Sequence, residues 1–296
     1  MKYEAMACLY AYGEHSIAKM ARALEVKDSA YHQWKRRQEK NELKRQAEKE
    51  LIDKVREVFN DNKQVYGYRK MQDALADESI FLSEYKVRKI MKENGLFSVV
   101  GHKWRPAKSG KATGRYLDNM LNQNFKVAAP NMVWVGDITY IKTSIGWVYL
   151  AIVLDLCTKE IIGYSISRRI STELIKRALA NALAICGRDP KVKIVFHSDR
   201  GTQYASKSFQ KMCRLYNLTQ SMSKPACPFD NACAEAFFSV AKREEIYRRR
   251  YRDIDDVRFY LFEYIELFYN RKRKHAGLGN RSPKEYRTML EIRRAA

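Results

Sequence analysis

The chain has 296 residues, 46% of them hydrophobic, enough for one large domain or two to three small ones and too apolar for an extended disordered chain. Its formal charge of +22 points to a polyanionic partner, nucleic acid before anionic membrane. Basic residues outnumber acidic ones 26 to 17 over residues 1–129, 14 to 8 over 130–241 and 16 to 9 over 242–296, which excludes a single basic tail as the source of that charge.

The six cysteines form no CxxC pair and none stands near a histidine at zinc-ligand spacing, so they read as reduced thiols and no zinc is expected. The longest apolar run, WVYLAIVL at 147–154, is too short to span a bilayer, and the expected location is the cytoplasm.

In SIAKMARALEVKDSAYHQWKRR (16–37), Ile17, Met20, Ala21 and Leu24 predict a helix, then a short break, then a second helix with Asp28 and Ser29 as N-caps. This suits a helix-turn-helix whose second helix, with Lys35, Arg36 and Arg37, enters a major groove. It suits an ordinary helical hairpin equally, because Glu25 occupies the turn where glycine is more comfortable. Residues 41–60 predict a charged amphipathic helix. YGYRKMQDAL and LSEYKVRKIMKENGL predict a further helical pair, with Ser83 as N-cap and Gly95 as the stop. The chain thus opens with a helix-turn-helix-like DNA-binding segment (1–40) and a second helical DNA-binding unit (41–97). Residues 98–129 read as a basic linker. There Trp104 and Arg105 are candidates to lie along a nucleic-acid backbone, against the plainer reading of a solvated connector.

After Pro130 the pattern becomes VWVGDITYIKT, WVYLAIVLDLC and EIIGYSIS, three strands of an antiparallel meander. Helix, strand, helix, short strand and helix follow. Such an order describes an α/β layer fold, with residues 130–245 as the core and 246–296 as a basic C-terminal helical extension carrying Arg271, Lys272, Arg273 and Lys274.

Asp137 lies mid-way along the first strand, where a lone acid is costly unless paired or bound to a cation. Asp199 ends the strand KIVFHSD, which in such a sheet neighbours the first. Glu235 begins a helix that Asp230 and Asn231 are expected to cap, and shares a face with Ser239 and Lys242. Three carboxylates without His or Cys are hard oxygen donors suited to Mg²⁺ or Mn²⁺, and two such ions serve an in-line phosphoryl displacement. His197 and Arg200 flank Asp199 and suit either a phosphate contact or a structural hydrogen bond. Asp155 reads as a turn residue, and Glu244 and Glu245 as members of i to i+4 ion pairs.

WVGDITYI, HSDRGTQYAS and DNACAEAFFSVAKRE together resemble the DDE catalytic core shared by retroviral integrases and bacterial insertion-sequence transposases. With YGYRKM…VRKIMKENGL, KWRPAKSG and YNRKRKHAGLGNRSPKEY, nearly the whole chain resembles the OrfB-type transposase of insertion-sequence family three. The resemblance implies a ribonuclease-H-like core, a mixed five-stranded sheet with helices on both faces. It implies Asp137, Asp199 and Glu235 as the catalytic, metal-binding triad and Lys242 as a DNA contact near the scissile phosphate. It further implies 3′-end nicking and strand transfer on double-stranded terminal repeats and target DNA, in a homo-oligomer on paired ends in a bacterial nucleoid. A fusion with an upstream-frame product is part of the same pattern. Ala226 departs from it, standing where the family places glycine. A non-catalytic end-binding factor and a ribonuclease-H-type nuclease are the rival readings.

Overall fold

A computed structural model describes residues 1–13, 15–100, 117–121, 127–186, 193–224 and 231–295. At the N-terminus α1 (Lys2–Ala11), α2 (Ile17–Ala23) and the start of α3 (Asp28–Asp61) enclose a small core of Met6, Met20, Ala21 and Tyr31. Ser16 caps α2, its hydroxyl accepting the Lys19 N–H. Glu25 stands in the α2–α3 turn at φ 53°, the left-handed conformation that made glycine the expected residue there. Asp28 is not the cap of α3. Lys27 takes that position without a side-chain bond, and Asp28 Oδ1 accepts the N–H of Ser29 at 2.7 Å from inside the first turn.

α3 is one helix of 34 residues, about 50 Å long, and it crosses residue 40 without interruption. The first two helical segments therefore share a helix. Residues 35–50 are exposed; α3 meets the main core only at its far end, through Val55, Val58 and Phe59. There α4 (Tyr68–Asp77) and α5 (Glu84–Glu93) pack against it. Ser83 caps α5, and Gly95 at φ 66° ends the turn that follows.

The sheet has five strands: β1 (Val133–Thr143), β2 (Gly146–Asp155), β3 (Ile161–Ser167), β4 (Ile194–Ser198) and β5 (Leu218–Met222), in the order β3-β2-β1-β4-β5. The first three pair antiparallel, and β4 and β5 add in parallel beside β1. α6 (Thr172–Ile185) and α7 (Lys207–Leu215) cover one face around Trp134, Ala151, Phe196 and Leu179. Gly163 permits the close approach of α6, since a Cβ there would stand 2.4 Å from the Ala178 carbonyl oxygen. α8 (Ala232–Glu244) and α9 (Ile254–Phe262) cover the other face, in a core that is continuous with α3, α4 and α5.

The C-terminal extension binds these parts together. α9 passes into a π-helical turn at Glu263–Tyr269, and α10 (Pro283–Ala295) closes the chain. The Tyr66 hydroxyl donates to the Lys272 carbonyl at 3.1 Å and accepts the Lys274 N–H at 2.9 Å. Glu244 departs from its expected local pairing. Both its oxygens accept from Arg273 at 2.8 Å, and Tyr264 donates to the same carboxylate, whereas Glu245 does pair with Arg249 four residues on.

Two of the basic C-terminal candidates are thereby corrected. Arg273 and Lys274 are buried, one on Glu244 and the other on Asp77, and are used inside the protein. Arg271 and Lys272 are exposed in the turn after the π segment, which is not a helix.

Candidate active site

β1 and β4 run parallel with Val133 opposite Val195 and Gly136 opposite Ser198, so the next residue on each strand, Asp137 and Asp199, emerges beside the other. Both line a cleft of about 140 Å³ together with Thr139, Tyr149, Gln203 and Tyr204. The glycine before Asp137 is required: a Cβ at Gly136 would stand 2.4 Å from the Phe196 ring.

Each aspartate is oriented by a local amide. Asp137 Oδ1 accepts the Ile138 N–H at 2.8 Å, and Asp199 Oδ1 accepts the Gly201 N–H at 3.0 Å. Burial pushes the half-buried Asp137 carboxyl well above the usual range, and the neighbouring charge of Asp199, then that of Glu235, adds to the effect. Asp199 is also raised, by partial dehydration of its carboxyl; the residue is exposed at the strand end, so water limits that shift. Glu235 is exposed in the first turn of α8 and is raised by burial and then by Asp199. It does not line the cleft. Among the described residues no three His, Cys, Asp or Glu side chains stand close enough to cage an ion. Asn231 precedes α8 without a side-chain cap bond, and Asp230 and Ala226 lie outside the described residues.

The remaining candidates divide by burial. Lys242 is buried with its Nζ 5.1 Å from the Tyr140 ring centroid; burial lowers its pKa, and Asp137 opposes that shift. Ser239 is half-buried one turn earlier, its carbonyl accepting from Arg243. His197 is corrected as a DNA contact. Its ring is wholly buried, with Nδ1 2.9 Å from the Ser221 hydroxyl and Nε2 3.2 Å from that of Ser223, tying β4 to β5. Arg200 Nε donates to the Ser223 carbonyl at 2.6 Å and holds the segment after Asp199. Lys35, Arg36 and Arg37 are exposed on α3, far from this cleft in sequence, and Trp104 and Arg105 lie outside the described residues.

Asp155 is the turn residue expected of it, accepting from the Asn131 N–H and from both the N–H and hydroxyl of Thr158. Gln203 and Tyr204 line the cleft although sequence reasoning passed over them. Their signal was their place in HSDRGTQYAS, one turn beyond Asp199.

A five-stranded mixed sheet that sets one acid mid-way along β1 and a second just past the end of its parallel neighbour β4 matches an integrase core. Residues 127–228 match the family model "Integrase core domain", residues 235–290 match a second model of that description, and residues 46–104 match an "HTH-like domain". The protein is accordingly a polynucleotidyl transferase of the integrase-core class. It is 35% identical over 274 residues, 92% of this chain and 94% of the relative, to the transposase InsF for insertion sequence IS3A of Escherichia coli K12. It is 34% identical over 245 residues, 82% of this chain and 96% of the relative, to the transposase for insertion sequence element IS904 of Lactococcus lactis. The chain belongs to the IS3 family of bacterial insertion-sequence transposases. Among solved structures, the HTLV-2 integrase catalytic core domain in complex with magnesium is 16% identical, covering 54% of this chain and 98% of that one at a TM-score of 0.42, a likeness that adds nothing to the family assignment.

Proposed function

We propose that this transposase cuts and joins the ends of its own element through Asp137, Asp199 and Glu235, which hold two Mg²⁺ or Mn²⁺ ions. The observation that carries this reading is the delivery of Asp137 and Asp199 into one cleft by adjacent parallel strands. The chemistry of the donors suits such ions, with Asp137 and Asp199 in the cleft and Glu235 outside it. All three side chains offer hard oxygen, and Asp137 is disfavoured as an anion partly by the charges of the other two, a repulsion that a bound cation relieves. When bound, the metal supplies an activated oxygen nucleophile and charge stabilisation on the leaving oxygen.

The chain's own residues do the rest. The Ile138 and Gly201 amides hold one oxygen of each aspartate. Lys242, beside Asp137, adds positive charge where a scissile phosphate lies. Water first attacks the phosphodiester at an element end, breaking its P–O3′ bond to free a 3′-hydroxyl and leave a 5′-phosphate; that hydroxyl then attacks a second phosphodiester and displaces its 3′-oxygen as a new hydroxyl. Lys35, Arg36 and Arg37 on α3, with the helical unit of α4 and α5, bind the double-stranded terminal repeats and target DNA. Two ends are paired by a homo-oligomer in the bacterial nucleoid, with an upstream-frame product contributing to the active form.

The test incubates purified protein with labelled DNA bearing the element's terminal sequence, in Mg²⁺, Mn²⁺ or EDTA. Metal-dependent nicking and joining are expected. Asp137→Asn, Asp199→Asn or Glu235→Gln should each lower cleavage about a thousandfold while DNA binding persists. Full cleavage by any one of the three variants removes that residue from the triad.

A further inference from the structure

The β1–β2 hairpin carries an aromatic group that neither face of the sheet uses. Tyr140 pairs with Tyr149 and Lys142 with Trp147, so strand alternation sets all four on one face of the hairpin. The Tyr140 and Trp147 rings meet edge to face, centroids 5.2 Å apart at 85°. They are 52% and 51% exposed and belong to neither core cluster of the sheet, so their contact is not part of the protein's interior packing. At half exposure, part of each of these large amphipathic rings is open to solvent.

Their position gives that surface a use. Tyr140 lines the same cleft as Asp137 and Asp199, only three residues beyond Asp137 along β1, about 10 Å of strand. Positive charge is present on both sides: exposed Lys142 on the hairpin, and the Lys242 ammonium against the Tyr140 ring. A phosphate at the carboxylates therefore has an aromatic surface within reach of the base next to it, and a lysine on the path between.

We infer that Tyr140 and Trp147 form a stacking shelf for one unpaired nucleobase of the DNA strand whose phosphate lies at the Asp137–Asp199 cleft. The inference rests on the reading of that cleft as the reaction site. A base inside a duplex has both faces covered by its neighbours, so the shelf takes a base at an opened or frayed end. Stacking on the rings replaces the stacking lost on opening. The recognition is by π-face and is tolerant of base identity.

The test measures binding to two DNAs of arbitrary sequence, one with three unpaired nucleotides at its 3′ end and one blunt. Each carries 2-aminopurine near that end, and Ca²⁺ replaces Mg²⁺. The unpaired end is expected to bind more tightly and to show quenched 2-aminopurine fluorescence. Trp147→Ala or Tyr140→Ala should abolish the quench and weaken the unpaired end roughly fivefold or more, while blunt-end affinity changes less than about twofold. Trp147→Phe should retain the preference. Both residues are exposed, so the melting curves of the variants are expected to match the parent and serve as the folding control. Equal affinity of the parent and Trp147→Ala for both DNAs, or a quench that survives both alanine variants, overturns the shelf. If the quench appears but no element end is cut in Mg²⁺ even with the upstream-frame product supplied, the shelf stands and the reading of the cleft falls. If ends are cut and the alanine variants bind as the parent does, the shelf alone falls.

Discussion

Asp137 illustrates how a site residue opposes the stability of its own fold. Its carboxyl is pushed up by burial first and by Asp199 and Glu235 after that, so ionising it costs more in the folded protein than in the unfolded chain. Asp137→Asn keeps an oxygen to accept the Ile138 N–H and removes the repulsion. In EDTA the variant should be more stable than the parent, by on the order of 1 kcal/mol, while losing cleavage. Thermal melts of both proteins check this; a lower melting temperature for the variant counts against a strained carboxylate pair. His197 shows the limit of reading at this scale. Beside Asp199 in sequence it looks equally fit for phosphate or structure, and only the strand pairing puts Ser221 and Ser223 against its two nitrogens.

At the scale of elements, the Glu244–Arg273 pair joins α8 to the C-terminal extension with both partners buried. Arg273→Met strands the Glu244 charge inside the protein and should cost about 3–5 kcal/mol, whereas Glu244→Leu combined with Arg273→Met should recover most of that loss. Urea unfolding of the single and double variants measures both. A mild effect of the single change would mean that water reaches Glu244. The basic segment of α3 behaves oppositely. Lys35, Arg36 and Arg37 are exposed on a stretch that touches no core, so replacing all three by alanine should leave the melting temperature unchanged. If each of the three neutralises a phosphate, the slope of log affinity against log salt should become shallower by about 0.9 per residue lost. A titration of duplex DNA at several salt concentrations reads this directly, and an unchanged slope removes these residues from the interface.

Across the whole molecule, the helical unit, the sheet and the C-terminal extension meet around a buried polar junction of Tyr66, Glu244, Arg273 and Lys274. His275 sits there, Nε2 3.4 Å from Arg273 and its ring edge-on to Tyr269 at 5.0 Å. Burial, then the Arg273 charge, lowers its pKa to about 3. The sign is set by the unfolded chain, which takes up a proton below about pH 6.5 while the folded protein resists until about pH 3. Stability should be complete above pH 6.5 and decline by a few kcal/mol toward pH 3. His275→Gln should flatten that decline in melts taken from pH 7 to 4. An equally steep loss in the variant would place the acid sensitivity elsewhere.

By itself the sequence determined the sheet and the carboxylates it presents. Alternation and turn residues mark each strand locally, and the meander-then-crossover order predicts that the fourth strand lies beside the first, as the β1–β4 pairing has it. The sequence also marked the capping of α5 by Ser83 and its stop at Gly95, which depend on one helical turn. Tertiary structure alone decided which charges face water. Arg271 and Lys272 are exposed while Arg273 and Lys274 are buried, although the four form one unbroken basic run. Their partners, Glu244 and Asp77, are 29 and 197 positions away, and no periodicity within a run of four like charges encodes an acid that far along the chain. The same holds for α3, whose helical pattern was legible but whose two ends pack in separate cores.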